Sequence, residues 1–265
     1  MAIEYIPLGV KTLSSVYSNK KFLSEMIAKV IYWSLDTDIV VTGYPGSGKS
    51  FFFESLKKER AGKKAKRPEV SVREENEILC LSDDFFPSKI TIIPGQLMSE
   101  SNKSIVKNII ENKKLKGIIH LLDWGHSHHR HESVRAVISS KGIRTIEELR
   151  EYNLEIEISY LKFICKLLEK RGGKIDWFVF VLNKVDLYDR GDAISYYDKH
   201  PEFIQLIERI KKITISQENI KFIPICSDRC DFEFNGGKIP SSKVRSDEEK
   251  LDLLINFHSE IKLLF

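Results

Sequence analysis

The clearest chemistry in the chain lies in one loop, Gly43-Tyr-Pro-Gly-Ser-Gly-Lys-Ser50, spaced G-x-x-x-x-G-K-S. It follows the β-branched run Asp38-Ile-Val-Val-Thr42 and leads into an apolar stretch that begins at Phe51. The order is strand, phosphate-binding loop, helix. Glycines let the backbone wrap a polyphosphate so that successive N–H groups point at its oxygens. The helix N-terminus adds unpaired N–H groups and a partial positive charge. Lys49 is spaced to reach the β- and γ-phosphates, and the Ser50 hydroxyl to ligate Mg²⁺. Gly43, Pro45, Gly46, Ser47, Gly48, Lys49, Ser50 and Phe51 are therefore expected to line a nucleoside triphosphate site. Loops of this kind serve ATP and GTP alike, so the base must be read elsewhere.

It is read from Asn183-Lys-Val-Asp186, directly after the apolar run Trp177–Leu182. This N-K-x-D resembles the guanine-specificity motif of the Ras-like and translation-factor GTPases, of the TRAFAC class of P-loop proteins. The resemblance implies that Asp186 accepts hydrogen bonds from the guanine N1–H and exocyclic amine. It implies that the Lys184 stem lies over the base and that Asn183 ties this loop to the phosphate loop. Adenine presents the opposite polarity and would leave a buried carboxylate unpaired. Pro224-Ile-Cys-Ser-Asp228 is similar to the family's P-V-S-A-K loop, with cysteine for serine and Asp228 for lysine. That similarity implies Cys226 and Ser227 against the base, with the Ser227 amide as donor to the guanine O6.

A third similarity concerns the γ-phosphate sensor. Thr91-Ile-Ile-Pro-Gly-Gln96 resembles the T-V-P-G-Q version of the D-x-x-G switch in MglA-type and Arf-like bacterial GTPases. It implies a Gly95 N–H on the γ-phosphate and Gln96 orienting water, with Lys49 and Gln96 as the catalytic side chains. Ile92 stands at the aspartate position, which removes an indirect contact to Mg²⁺. For the first switch, Glu69 occupies the family's threonine position and Ser71 is a substitute Mg²⁺ ligand two residues on; both readings stay open. The expectation is a guanine-nucleotide-binding protein that hydrolyses GTP to GDP with Mg²⁺, slowly, as a molecular switch. A scaffold that binds guanine nucleotide with little hydrolysis is the alternative, and an ATP-dependent P-loop enzyme a more distant one. Slow hydrolysis implies a protein effector or a GTPase-activating partner.

Two further groups carry chemistry. Ile-Ile-His-Leu-Leu-Asp123 has the form of a Walker B strand, yet in Ras-like domains such an aspartate is structural. Trp124-Gly-His-Ser-His-His-Arg-His131 offers either weak zinc or nickel ligands or a solvated loop, the plainer reading. The same loop is long for a minimal Ras-like domain, which makes it a candidate partner surface.

These residues need a scaffold, and the pattern of apolar runs supplies one. Strands are expected at 38–42, 77–81, 89–93, 117–123, 177–182 and 221–225, the second and third forming a hairpin. Helices are expected from 49, near 101–113, 151–170, 201–212 and 246–264. Alternating strand and helix argues for an α/β, three-layer fold. Its sheet would be mostly parallel and roughly six-stranded, with helices on both faces and one antiparallel edge strand. Residues 38–265 are expected to form this G domain. Phe22, Met26, Val30 and Trp33 recur at helical spacing, so 1–37 reads as an N-terminal amphipathic helical extension, packed on the domain or resting on a membrane surface. The basic run 57–67 is a solvated helix end or a contact for acidic lipid.

At 265 residues, 42% hydrophobic and 30% charged, the composition is that of a globular protein. A net charge of +4 does not by itself imply nucleic acid. No apolar run is long enough to span a bilayer, no signal-peptide pattern opens the chain, and the four cysteines lack zinc spacing. A cytoplasmic protein with reduced thiols is the expectation.

Overall fold

The computed structural model describes residues 39–59, 75–79, 88–93, parts of 104–111, 114–129 and 132–264. Among them a six-stranded sheet runs in the order β2-β3-β1-β4-β5-β6. Its strands are β1 (Ile39–Gly43), β2 (Glu75–Leu79), β3 (Ser88–Ile92), β4 (Gly117–Leu122), β5 (Trp177–Leu182) and β6 (Ile220–Pro224). All pair in parallel except β2, which runs antiparallel to β3 with Asn76 opposite Thr91. The helices are α1 (Lys49–Glu59), α2 (Glu132–Ser140), α3 (Ile146–Arg171), α4 (Arg190–Lys199), α5 (Pro201–Ile213) and α6 (Asp247–Lys262). A two-stranded hairpin, β7 (Phe232–Phe234) and β8 (Gly237–Ile239), stands apart from the sheet. This is an α/β fold with a mostly parallel six-stranded sheet and one antiparallel edge strand, the class expected from the sequence.

The central strands are apolar except for the buried Thr42 and His120, because both their faces are covered. In β4 and β5, Ile118, Leu122, Phe178 and Phe180 face one way and pack with Leu154, Ile158 and Leu161 of α3 and Leu206 and Ile210 of α5. Ile119, Leu121, Val179 and Val181 face the other way, onto Phe52 and Leu56 of α1 and Leu254 and Phe257 of α6. The period-two alternation thus sorts residues between two cores, and the sheet's carboxyl ends are left to build a site.

Element existence followed the sequence more closely than element bounds. The first strand of the hairpin lies two residues earlier than expected, at 75–79. Helix α3 begins at Ile146 and not near 151, because Thr145 and Glu148 form a capping box that satisfies the first-turn N–H groups. Among the described residues, α2, α4, the short 3-10 helix Gln217–Asn219 and the β7–β8 hairpin were not anticipated. The expected N-terminal helix at 1–37 and the basic run beyond 59 lie outside the described residues, as do Glu69, Ser71, Gly95 and Gln96. Among the described residues no helix is long and apolar enough to cross a membrane.

Candidate functional site

The phosphate-loop sequence closes β1 and opens α1. Gly46 has φ +86° and Gly48 φ +93°, backbone that side chains rarely adopt. Space forbids a side chain as well. A Cβ on Gly46 would sit 2.4 Å from the His128 carbonyl oxygen, and one on Gly48 would sit 2.6 Å from Asn183 Nδ2. The two glycines are therefore also where other loops press onto the phosphate loop. Lys49 is buried and its Nζ donates to the Gly43 and Tyr44 carbonyls at 2.9 and 3.1 Å. Ser47 is buried with its Oγ lacking a partner. Ser50 stands in the first turn of α1, next to Lys49.

The Asn183-Lys-Val-Asp186 segment leaves β5 at the same end of the sheet. Asn183 Nδ2 donates to the Ser47 carbonyl at 2.8 Å, and its Oδ1 accepts from both the N–H and Oγ of Ser227. One amide thus joins three loops. Lys184 Nζ donates to the carbonyls of Gly46 and His126 and to Asp123 Oδ2, the last at 2.9 Å. Lys184 itself has φ +62°, a left-handed conformation that costs a non-glycine residue roughly 1–2 kcal/mol. Three acceptors on its ammonium hold it there. Tyr188 Oη donates to the Asn183 carbonyl and closes the segment from behind.

Asp186 is 1% exposed. Its Oδ2 accepts from Ser241 Oγ at 2.6 Å and from the Cys230 N–H at 3.3 Å, while Oδ1 has no partner. Burial pushes this carboxyl above its usual range, against the hydrogen bond from Ser241. Cys226 and Ser227 are buried as well, and the Cys226 thiol bears on the Asp186 carboxyl. The Ser227 N–H, expected to meet the guanine O6, donates instead to Asn183 Oδ1.

Asp123 is fully buried, and its oxygens face Lys184 and the Ser127 hydroxyl. Burial alone would raise its carboxyl; the Lys184 charge and hydrogen bond and the Ser127 hydroxyl outweigh that and hold it low. Its role is to anchor Lys184, which agrees with the structural reading and not with a Walker B metal contact. The histidine loop corrects the expectation of a solvated segment. His126 is 1% exposed, stacks on Tyr188, and burial lowers it to about 4. His129 meets Tyr44 of the phosphate loop edge-on and lies 2.7 Å from Asn153 Oδ1. The loop packs down because Lys184 and Asn153 of α3 bind its carbonyls at 126 and 125. Among the described residues no group of three His, Cys, Asp or Glu is placed to hold a metal.

Sequence reasoning missed Glu157, Tyr188, Ser127 and Ser241. Glu157, 1% exposed on α3, accepts from the Asp123 N–H and from Tyr197 Oη. The one available signal was a glutamate inside the apolar face of a long helix.

Residues 38–164 match the sequence model of a family described as 50S ribosome-binding GTPase. The match supports a P-loop GTPase, with GTP or GDP as its ligand. It ends within α3, before Asn183, so the base motif is independent of it. No curated protein matches the chain. Among solved structures, that of the bacterial selenocysteine-specific elongation factor EF-Sec is similar with TM-score 0.44 at 12% identity, over 87% of this chain and 29% of that one. This chain therefore spans less than a third of the elongation factor's length.

Proposed function

We propose that this protein is a guanine-nucleotide switch of the Ras-like kind, closest in its second switch to MglA-type and Arf-like GTPases, which binds GTP and hydrolyses it slowly. Residues 38–265 would form the G domain and 1–37 a helical extension acting with it in the cytoplasm. What carries the reading is the contact between two loops far apart in sequence. Asn183 and Lys184 hydrogen-bond the carbonyls of Ser47 and Gly46, so the base loop and the phosphate loop form one continuous surface. Asp186 offers that surface a buried, unpartnered carboxylate oxygen.

The donor set fits Mg²⁺. Magnesium keeps much of its water and needs only one or two protein oxygens beside the phosphates. Ser50 would supply one hydroxyl, and Ser71 is the proposed second. Bound there, the ion would neutralise charge developing on the phosphate oxygens. Lys49, now satisfied by the loop's own carbonyls, would turn to the β- and γ-phosphates, while the amides of 46–50 hold the chain of phosphates. Gln96 would orient the attacking water. Loss of the γ-phosphate would release the segments around Ser71 and Gly95 and change the surface offered to an effector or activating protein.

Competition between GTP and ATP for the purified chain tests the base assignment. GTP is expected to bind more tightly, and Asp186→Ala to abolish the difference. Equal binding of the two nucleotides to the unmodified protein would overturn it. Ile92 favours a second reading, a scaffold with little hydrolysis, because an apolar side chain buried in β3 replaces the switch carboxylate. Single-turnover phosphate release separates the two: a slow rate that Gln96→Ala lowers further marks an enzyme, and a rate the variant leaves unchanged marks the scaffold.

A further inference from the structure

Between the 224–228 loop and α6 the chain inserts the β7–β8 hairpin and a return segment, 229–246, which lies outside the stretch matched by the family. This insertion is anchored at several points. Phe232 is buried against the rings of His126 and His128. Val244 is fully buried. The N–H groups of Ser242 and Lys243 both donate to the Asp186 carbonyl at 2.9 Å. Asp231 accepts from the Ser241 N–H at 2.8 Å and pairs with Lys238 at 2.6 Å, which fixes where Ser241 stands.

The consequence falls on one carboxylate. An ionised carboxylate has about four acceptor positions, two on each oxygen. The Ser241 hydroxyl and the Cys230 N–H fill those of Asp186 Oδ2; the Cys226 thiol also bears on the carboxyl, and the buried Oδ1 has no full hydrogen bond. A buried charge left half-satisfied is costly unless a ligand completes it. A base with two adjacent donors, the guanine N1–H and amine, completes it; adenine meets it with a ring nitrogen that only accepts.

We propose that Ser241 is a positioning residue for base recognition, its hydroxyl holding Oδ2 of Asp186 so that the carboxylate is oriented toward the guanine edge. The inference rests on the guanine reading above and assigns specificity to the insertion as well as to the N-K-x-D loop.

The experiment is equilibrium competition of GTP and ATP, with Mg²⁺, against a fluorescent guanine nucleotide on the full chain. Ser241→Ala is expected to weaken GTP about tenfold, the worth of one charge-assisted hydrogen bond, and to leave ATP unchanged. Ser241→Thr, which keeps the hydroxyl, restores GTP binding. Asp231→Ala, which frees the Ser241 backbone, acts in the same direction but less. A Ser241→Ala protein that keeps the parent's preference for GTP overturns the inference and leaves the guanine reading standing. Equal weakening of GTP and ATP overturns it too, since that is the mark of a disturbed fold. A parent protein that does not prefer GTP overturns the guanine reading, and the inference with it.

Discussion

At the scale of single residues the site is held by a few polar side chains that each serve several loops. Lys184 is the extreme case, with a carbonyl from the phosphate loop, a carbonyl from the histidine loop and the Asp123 carboxylate around one ammonium. The Asp123–Lys184 pair is almost dry, with side-chain exposures of 1% and 13%. Removing one member of such a pair leaves an uncompensated buried charge and costs about 3–5 kcal/mol. Lys184→Met is therefore expected to lower stability to urea by that order, and Lys184→Met with Asp123→Asn to recover much of the loss. If the double variant is no more stable than the single one, the pair is not the lock described here. The contact of Asn183 with the phosphate loop was legible in the sequence because the motif assigns it to a loop it does not itself contain, whereas the three acceptors around Lys184 were not. Nor were Ser241 and Glu157, because their partners lie 55 and 34 residues away with no motif to join them.

At the scale of elements, strands were read well and some helices and turns were missed. Trp177–Leu182 is apolar at every position, as a strand buried on both faces must be, and its bounds were read without error. The helix α4 buries only Ala193 and Tyr197, too few apolar positions to register against its polar remainder. The β7–β8 hairpin did announce itself: Asn235-Gly236, with φ +46° and +82°, is the dipeptide such turns favour. Its flanking strands are three residues each, and shortness hid them. Strand register has its own consequence. Gly117 faces Trp177 across β4 and β5, and a Cβ there would lie 2.1 Å from the indole ring. Gly117→Ala forces the ring or the strands apart and is expected to cost about 1–3 kcal/mol. The urea midpoint should fall while the nucleotide affinity of the folded protein stays the same, since Gly117 lies at the end of β4 remote from the phosphate loop. A variant as stable as the parent would mean that the two strands can separate locally at little cost.

At the scale of the whole molecule, the groups beneath the nucleotide site couple stability to pH with opposing signs. Asp123 is held below its usual range, so its contribution is present at neutral pH and lost in strong acid. His126 is neutral in the fold down to about 4, whereas unfolded chain binds a proton below its ordinary 6.5; stability therefore falls as pH drops from 6.5 toward 4. Glu157 works the other way. Burial and the Asp123 charge raise it to about 8, against the hydrogen bonds from Tyr197 and the Asp123 N–H. Between 4.5 and 8 the folded protein holds a proton there that the unfolded chain has released, so stability falls as pH rises through that window. Below pH 6.5 the His126 and Glu157 effects oppose each other and mask one another. Above it the unfolded chain sheds the last protons from His120, His126 and His129, which burial keeps neutral in the fold, an opposing effect that a variant at 157 shares with the parent. The urea midpoint of the parent protein is therefore expected to decline from pH 6.5 to 8 relative to that of Glu157→Gln, whose amide can accept from the Asp123 N–H and donate to Tyr197 without titrating. Midpoints of parent and variant that move in parallel across that interval would mean that Glu157 is ionised in the fold.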